Sequence, residues 1–483
     1  MKQISLFLII FLPISFLFGQ TFTEIEETPF AGVSFSSIAF ADIDGDNDLD
    51  VLITGDTSNQ SEPISKLYTN DGNGIFSEVA GTPFEGVSSS SVAFGDIDGD
   101  GDVDVLISGR NSSYEPISNL FTNDGTGVFS EVIDTPFEKV SSASVTFADI
   151  DGDNDLDVLI TGDSSPSWPS QPISKLYTND GSGLFSEVAN TPFDAVFNAS
   201  VAFVDIDGDN DLDLFISGST PAISPASPAF VPKLYTNDGS GLFSEVANTP
   251  FEGVRGPSIA FADTDEDDDL DLLITGRNSS YQPIAKLFAN DGNGMFSEVA
   301  DTPFEGVSSS SIAFADVDGD TDMDVLITGD TFNQSITLLY INDGSGLFSE
   351  VAGTSIIGYS NSSIAFADID GDTDLDILMT GNASFQPTSK LYSNDQISST
   401  FNQIEKTNDV IVFPNPAHHE LKVSNLKFID TVTIYDSQGQ VIQHLPINNE
   451  ELTIDVSNLP LGVYLLQFQV ENSKTITKKI LKL

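Results

Sequence analysis

Between residues 21 and 405 the apolar residues come in short runs, cut by clusters of Asp, Gly, Asn, Ser and Thr. Stretches with helical period are missing, and the runs are rich in β-branched and aromatic residues, which reads as strand. The order of the runs recurs: F-S-E-V, then T-P-F-E-G-V-S-S, S-x-A-F-A-D-I-D-G-D, L-D-V-L-I-T-G, a variable stretch, and K-L-Y-T-N-D-G-x-G. In the second copy this predicts strands at Phe76–Val79, Ser91–Ile97, Val103–Ser108 and Asn119–Asn123. The turn Asn123-Asp124-Gly125-Thr126-Gly127 supplies the positive-φ positions of a tight hairpin.

The string D-x-D-x-D-x-D-x-D fixes the repeat. It begins at Asp42, Asp96, Asp149, Asp205, Asp263, Asp316 and Asp368, with spacings of 54, 53, 56, 58, 53 and 52. Four short antiparallel strands per repeat of this length are the mark of a β-propeller blade, and seven copies fall within the usual range. The expected fold is all-β, a seven-bladed β-propeller followed by a small Ig-like β-sandwich. Ring closure is favoured over a linear solenoid because it leaves no long unpaired edge. F-x-E-V-like elements number one more than the Asp strings. Phe22-Thr23-Glu24-Ile25 stands before the first and Phe401-Asn402-Gln403-Ile404 after the last. Either can complete the blade begun at the other end.

Each Asp string is a candidate metal loop. The carboxylates are Asp42, Asp44, Asp46, Asp48 and Asp50; Asp96, Asp98, Asp100, Asp102 and Asp104; and Asp149, Asp151, Asp153, Asp155 and Asp157. They continue with Asp205, Asp207, Asp209, Asp211 and Asp213; Asp263, Asp265, Asp267, Asp269 and Asp271; Asp316, Asp318, Asp320, Asp322 and Asp324; and Asp368, Asp370, Asp372, Asp374 and Asp376. Alternate residues on a tight turn converge on one centre. Side chains from positions 1, 3, 5 and 9 and the carbonyl of position 7 make a hard oxygen set that suits Ca²⁺, up to seven ions in all. Without a cation, four carboxylates so placed repel one another. An EF-hand needs Gly at position 6, Glu at position 12 and flanking helices. Position 12 is Ile53 in the first loop and Ile107 in the second, inside apolar strands. The fifth loop carries Glu266 where the others have Gly.

The combination resembles the FG-GAP/VCBS repeats of integrin-α-like seven-bladed propellers. The resemblance rests on D-x-D-G-D-x-D-x-D followed by an apolar strand, and it implies calcium held between neighbouring strands of one blade. The family more often has Gly at position 6. Here Gly101 alone does so, while Asn47, Asn154, Asn210, Thr321 and Thr373 stand at that place elsewhere.

Charge then narrows the partners. The 483 residues hold 74 Asp+Glu and 17 Lys+Arg, a net charge of −57. All of that excess lies in residues 21–405. Such a surface repels nucleic acid and anionic membranes. Cysteine is absent, so disulfides, thiolate zinc sites and cysteine nucleophiles are excluded. All three His (His418, His419, His444) follow residue 406, which excludes Ser-His-Asp chemistry from the main body and argues against an enzyme.

In an antiparallel meander the Asp loops and the N-D-G-x-G turns share one face. The variable stretches share the other, and six of them carry an aromatic: Tyr114, Trp168, Phe230, Tyr281, Phe332 and Phe385. Loops on a rigid scaffold are where recognition usually lives. These six are the candidate ligand-binding residues, for an extracellular glycan or protein. The competing role for each ring is to cover its own loop.

The two ends differ from the middle. Residues 1–20 have a basic start at Lys2 and an apolar run from Ile4 to Phe18, which reads as a secretory signal peptide. The run is too short for a membrane span, and no later segment reaches that length. From Lys406 the Asp loops stop. The residues Val412-Phe413-Pro414-Asn415-Pro416, Tyr435-Asp436-Ser437-Gln438-Gly439 and Leu459-Pro460-Leu461-Gly462-Val463-Tyr464, with a basic end, predict a small β-sandwich over 406–483. This segment closely resembles the type A sorting domain of the type IX secretion system of Bacteroidetes-type bacteria. The resemblance implies export to the cell surface or beyond, with that secretion machinery as partner. The resulting expectation is a signal peptide at 1–20, a propeller at 21–405 and a sorting domain at 406–483, acting as a secreted or surface calcium-binding adhesion module. A polysaccharide lyase or hydrolase and a structural surface-layer protein are the alternatives.

Overall fold

The computed structural model describes residues 22–57, 62–221 and 229–394, and of the C-terminal part 411–413, 419–424, 429–435, 441–447, 451–457, 459–460, 462–470 and 474–482. The predicted signal peptide and the second F-x-E-V-like copy at Phe401 lie outside the described residues. The chain divides into two units, Met1–Gln396 and Ile397–Leu483.

Every regular element among the described residues is a β-strand. The first unit is built of seven four-stranded antiparallel sheets. The first sheet runs Ser34–Ala41, Asp50–Asp56, Pro63–Asn70 and Phe76–Glu78, paired in that order. The F-S-E element is thus the outer strand of a sheet rather than its start. The second sheet follows the same plan with Ser88–Gly95, Asp104–Arg110, Pro116–Asn123 and Phe129–Glu131.

Each strand has the composition its place demands. The second strand, Asp50–Asp56, is buried in all but its last residue, because neighbouring sheets cover both its faces. The outer strand buries Phe76 and exposes Ser77 and Glu78. Glu78 meets Lys66 at 2.8 Å across the strands, and a short, charged edge resists pairing with another chain. The inner strands carry a bulge, seen as the register shift between Ser34 and Ser37. Its second residue takes a positive φ in every sheet: Phe35, Ser89, Ser142, Asn198, Gly256, Ser309 and Asn361.

The sheets pack face to face in order, and the last packs on the first. One buried cluster joins Phe30, Val33, Val51, Ile53, Tyr68 and Phe76 of the first sheet to Ala367, Ile369, Leu378 and Leu391 of the last. The Phe of each T-P-F element fills these junctions. Phe30 lies edge-on to Tyr68 with centroids 5.0 Å apart, and Phe137 lies likewise on Tyr177 at 5.1 Å. Phe94, Phe147 and Phe203 are half-buried beside the same clusters.

The N-terminal copy closes the ring. Phe22–Ile25 pairs with Gln386–Asn394, in the register Phe22↔Asn394 and Glu24↔Tyr392. It repeats the outer-strand register Asn70↔Phe76 and Tyr68↔Glu78. Phe22 is 2% exposed and Glu24 pairs with Lys390 at 2.5 Å. The repeated four-stranded sheets are those of a β-propeller.

The second unit is a small β domain. A three-stranded sheet (Ile411–Phe413, Glu420–Ser424, Glu451–Asp455) and a four-stranded one (Val441–Pro446, Ile429–Tyr435, Gly462–Val470, Lys474–Lys482) contribute to one core. That core gathers Leu421, Val423, Val432, Ile434, Ile454, Leu466 and Phe468.

Candidate functional site

The Asp loops join the first strand of each sheet to the second, and their fold follows from the spacing. Asp42 accepts the amides of Gly45 (2.8 Å) and Asn47 (3.0 Å), which wraps the loop around its own first carboxylate. The wrap requires left-handed backbone at positions 4 and 6, with φ of 76° at Gly45 and 70° at Asn47. Thr321 and Thr373, poorer residues for this region, adopt it too, at 83° and 78°. In the fifth loop Glu266 and Asp268 take the two places, at 60° and 69°.

Position 9 is the buried anchor. Asp50 is 1% exposed, and its two oxygens accept the amides of Ile43 (3.1 Å) and Asn70 (2.8 Å). Burial still wins over these hydrogen bonds and pushes its carboxyl up to about 6. Asp104, Asp157 and Asp213 behave alike, and Asp324 and Asp376 rise to about 7. At position 3, burial first and then Asp46 and Asp42 raise the carboxyl of Asp44.

Within the first loop, oxygens of Asp42, Asp44 and Asp50 lie within 4.8 Å of one another, and the second to fourth loops repeat the set. Such groups are close enough to share one metal ion. The donor chemistry fits: Asp44 Oδ1 is buried with no hydrogen-bond partner, as are Asp98, Asp151, Asp207 and Asp318 Oδ1. A buried carboxylate oxygen among other carboxylates is a place where a cation fits. The fifth loop groups Asp263, Asp265 and Asp267 instead. There position 2 is Thr264, and its hydroxyl donates to Asp271.

Two features of this face escaped the sequence reasoning. The position-7 carboxylates lie on the neighbouring hairpin turn: a Cβ added at Gly72 would sit 2.4 Å from Asp48 Oδ2, and one at Gly125 2.5 Å from Asp102. The Asn of each N-D-G turn is a latch between sheets. Asn70 Nδ2 donates to the Ile369 carbonyl of the last sheet at 2.8 Å, and Asn123 to Ile43 at 2.8 Å. Asn179, Asn237, Asn290, Asn342 and Asn394 donate in turn to Ile97, Ile150, Ile206, Thr264 and Val317. Each acceptor is position 2 of the preceding Asp loop, and each latch also gives its own amide to position 9 of its own loop. The repeated N-D-G was the signal; its amide was read only as part of a turn.

On the opposite face, five of the six candidate aromatics stand in solvent: Tyr114 at 58%, Trp168 at 91%, Tyr281 at 57%, Phe332 at 65% and Phe385 at 97%. Phe230 is half-buried at the start of its strand. Tyr114, Tyr281 and Phe385 all have φ near +60°, uncommon for bulky residues.

Comparisons with known proteins agree with both units. The FG-GAP-like repeat matches residues 42–107, 108–160, 161–216 and 271–327. The secretion system C-terminal sorting domain matches residues 411–482. The T-cell immunomodulatory protein of Homo sapiens is 26% identical over 259 residues, 52% of this chain and 40% of that protein. Among solved structures, PorZ, a surface component of the type IX secretion system of Porphyromonas gingivalis, aligns with 90% of this chain and 58% of its own. Its identity is 12% and the TM-score 0.42. AofleA from Arthrobotrys oligospora aligns with 68% of this chain and 89% of its own, at 12% identity and a TM-score of 0.39. The chain therefore spans less than two thirds of the human protein and of PorZ.

Proposed function

We propose that this chain, which carries FG-GAP-like repeats and ends in a secretion system C-terminal sorting domain, is an extracellular, calcium-loaded binding module. The sorting domain directs it through the type IX secretion system to the cell surface or extracellular space of a Bacteroidetes bacterium. Residues 1–20 start the route as a cleaved signal peptide, and the segment from 406 addresses the secretion machinery.

Calcium is the cation that suits the loops, since all candidate donors are oxygens and the carboxylates outnumber what Mg²⁺ accepts beside its waters. Its role is structural. Each loop presents a carbonyl to the next sheet and a carboxylate to its own, so an ion that fixes the loop fixes the junction. Binding a partner falls to the opposite face. The observation that carries this is the exposure of Tyr114, Trp168, Tyr281, Phe332 and Phe385 on the loops of that face. Rings held out of a packed sheet suit stacking on sugars or capping a peptide. Recognition rather than turnover fits a main body with no His and no Cys.

The test is a glycan array, probed with and without Ca²⁺, using the full chain and a variant with all six aromatics changed to Ala. Calcium-dependent binding lost in the variant is the expected result. Undiminished binding by the variant would place recognition elsewhere.

A further inference from the structure

We propose that the cleft between the first and second sheets, on the aromatic face, is a subsite for one neutral sugar ring. This rests on the binding-face reading above and gives it a place and a ligand class. The cleft is shallow, with room in its floor for about 30 Å³, and is lined by Asp56 and Pro63 of the first sheet and Ser88, Arg110, Asn111, Ser112 and Tyr114 of the second. That is far below the ~300 Å³ at which enclosing small-molecule sites start, so a ligand rests across the mouth with one edge in the cleft, and the rim chemistry has to select it.

The lining selects the chemistry. Apolar surface is confined to Pro63 and Tyr114, so an apolar ligand gains little. An anion would meet Asp56, and the net charge of −57 adds to its repulsion. A cation would meet Arg110. A ligand that both donates and accepts hydrogen bonds, without charge, satisfies both walls at once. Hydroxyl groups do this. Tyr114 then supplies an aromatic face for the C–H side of a pyranose.

The loop is built to present that ring. Asn111 Oδ1 accepts the amides of Ser113 and Glu115, each at 3.0 Å, and Asn111 O accepts the Tyr114 amide at 2.9 Å. Asn111 Nδ2 ties the loop to Glu85 at 2.9 Å. These bonds hold Tyr114 at a φ of 63°. The Arg110 guanidinium carbon sits 5.2 Å from the ring centroid, and among the described residues no hydrogen bond or ion pair engages its nitrogens. The near-copy Arg277-Asn278-Ser279-Ser280-Tyr281 in the fifth sheet is a natural contrast. There the Arg277 Nη2 is committed to Ser308 Oγ at 3.1 Å, across the junction to the sixth sheet. The same five residue types are an anchor in one place and an open cleft in the other.

Saturation-transfer NMR tests this with calcium-loaded full chain and a panel of methyl glycosides, neutral and uronic. The expected result is a signal from at least one neutral pyranoside. Affinity should fall about tenfold in Arg110→Ala and in Asp56→Asn, the scale of a lost hydrogen bond to a charged group. Tyr114→Ala should weaken it too, while Ile75→Ser, on the metal-loop face, should leave it unchanged. Thermal melts confirm that the variants fold. If array binding persists but these cleft variants bind like the parent, the subsite is overturned while the binding face stands. A signal from uronides alone, or from no glycoside, also overturns it.

Discussion

Removing the latch at Asn70 tests the closed ring at its one junction between distant ends of the chain. Asn70 is 6% exposed, and its Nδ2 donates to the Ile369 carbonyl 299 residues away at 2.8 Å. In Asn70→Ala that carbonyl loses its side-chain donor but keeps the Gly74 amide at 2.9 Å, and the backbone bond from residue 70 to Asp50 persists. The loss is that of one buried hydrogen bond, roughly 0.5–1.5 kcal/mol, so about 1 kcal/mol is expected. Asn123 is the control, being equally buried and making the same 2.8 Å bond to Ile43 at the junction of the first two sheets. Urea denaturation in saturating Ca²⁺ gives both values. In a closed ring both Asn70→Ala and Asn123→Ala cost stability. An open chain of sheets keeps the Asn123 bond and lacks the Asn70 bond. A cost at Asn70 near zero, with a clear cost at Asn123, would refute closure.

Further outcomes follow from the loops and the ends. Chelation with EDTA should lower the melting temperature by many degrees, since each site is worth about 4 kcal/mol when free Ca²⁺ exceeds its Kd a thousandfold; an unchanged melt contradicts structural calcium. The position-9 carboxyls sit near 6 to 7, above their unfolded value. For an acid this favours the metal-free fold below about pH 4 and withdraws that support as pH rises through 6 and 7. The melting gain from calcium should therefore grow between pH 5 and pH 7.5, and a gain flat with pH would count against the buried anchors. Phe22→Ala should cost roughly 3–5 kcal/mol, the range for a buried aromatic, and a surface-like cost would show that another segment fills that edge. Deleting residues 406–483 should trap the protein in the periplasm; normal export of the truncation would remove the sorting role.

The repeat, the strand character and the acidic loops were legible because each recurs at fixed spacing, and a repeat shows its own pattern. The phase of the sheet was not. F-S-E-V sits equally well at the start or end of a unit on paper, and only the pairing of Tyr68 with Glu78 makes it an outer strand. Which terminal copy closes the ring was also open, because Phe22-Thr23-Glu24-Ile25 and Phe401-Asn402-Gln403-Ile404 share the same alternation. Pairing of Phe22–Ile25 with Gln386–Asn394 answers it, with Glu24 beside Lys390. The Asn latches were invisible for a different reason. Their acceptors lie 77 to 87 residues away, or 299 at the closure, so no local window contains both ends.

Closure by Phe22–Ile25 also makes wholeness a condition of folding. The strand Phe22–Ile25 has no seat until Gln386–Asn394 exists, and the sorting segment comes later still. A chain that stops early carries an unsealed flank, an unclaimed Phe22 and no export address. The closed ring covers that flank and seats Phe22, so limited proteolysis should cut a truncated copy faster than the full chain.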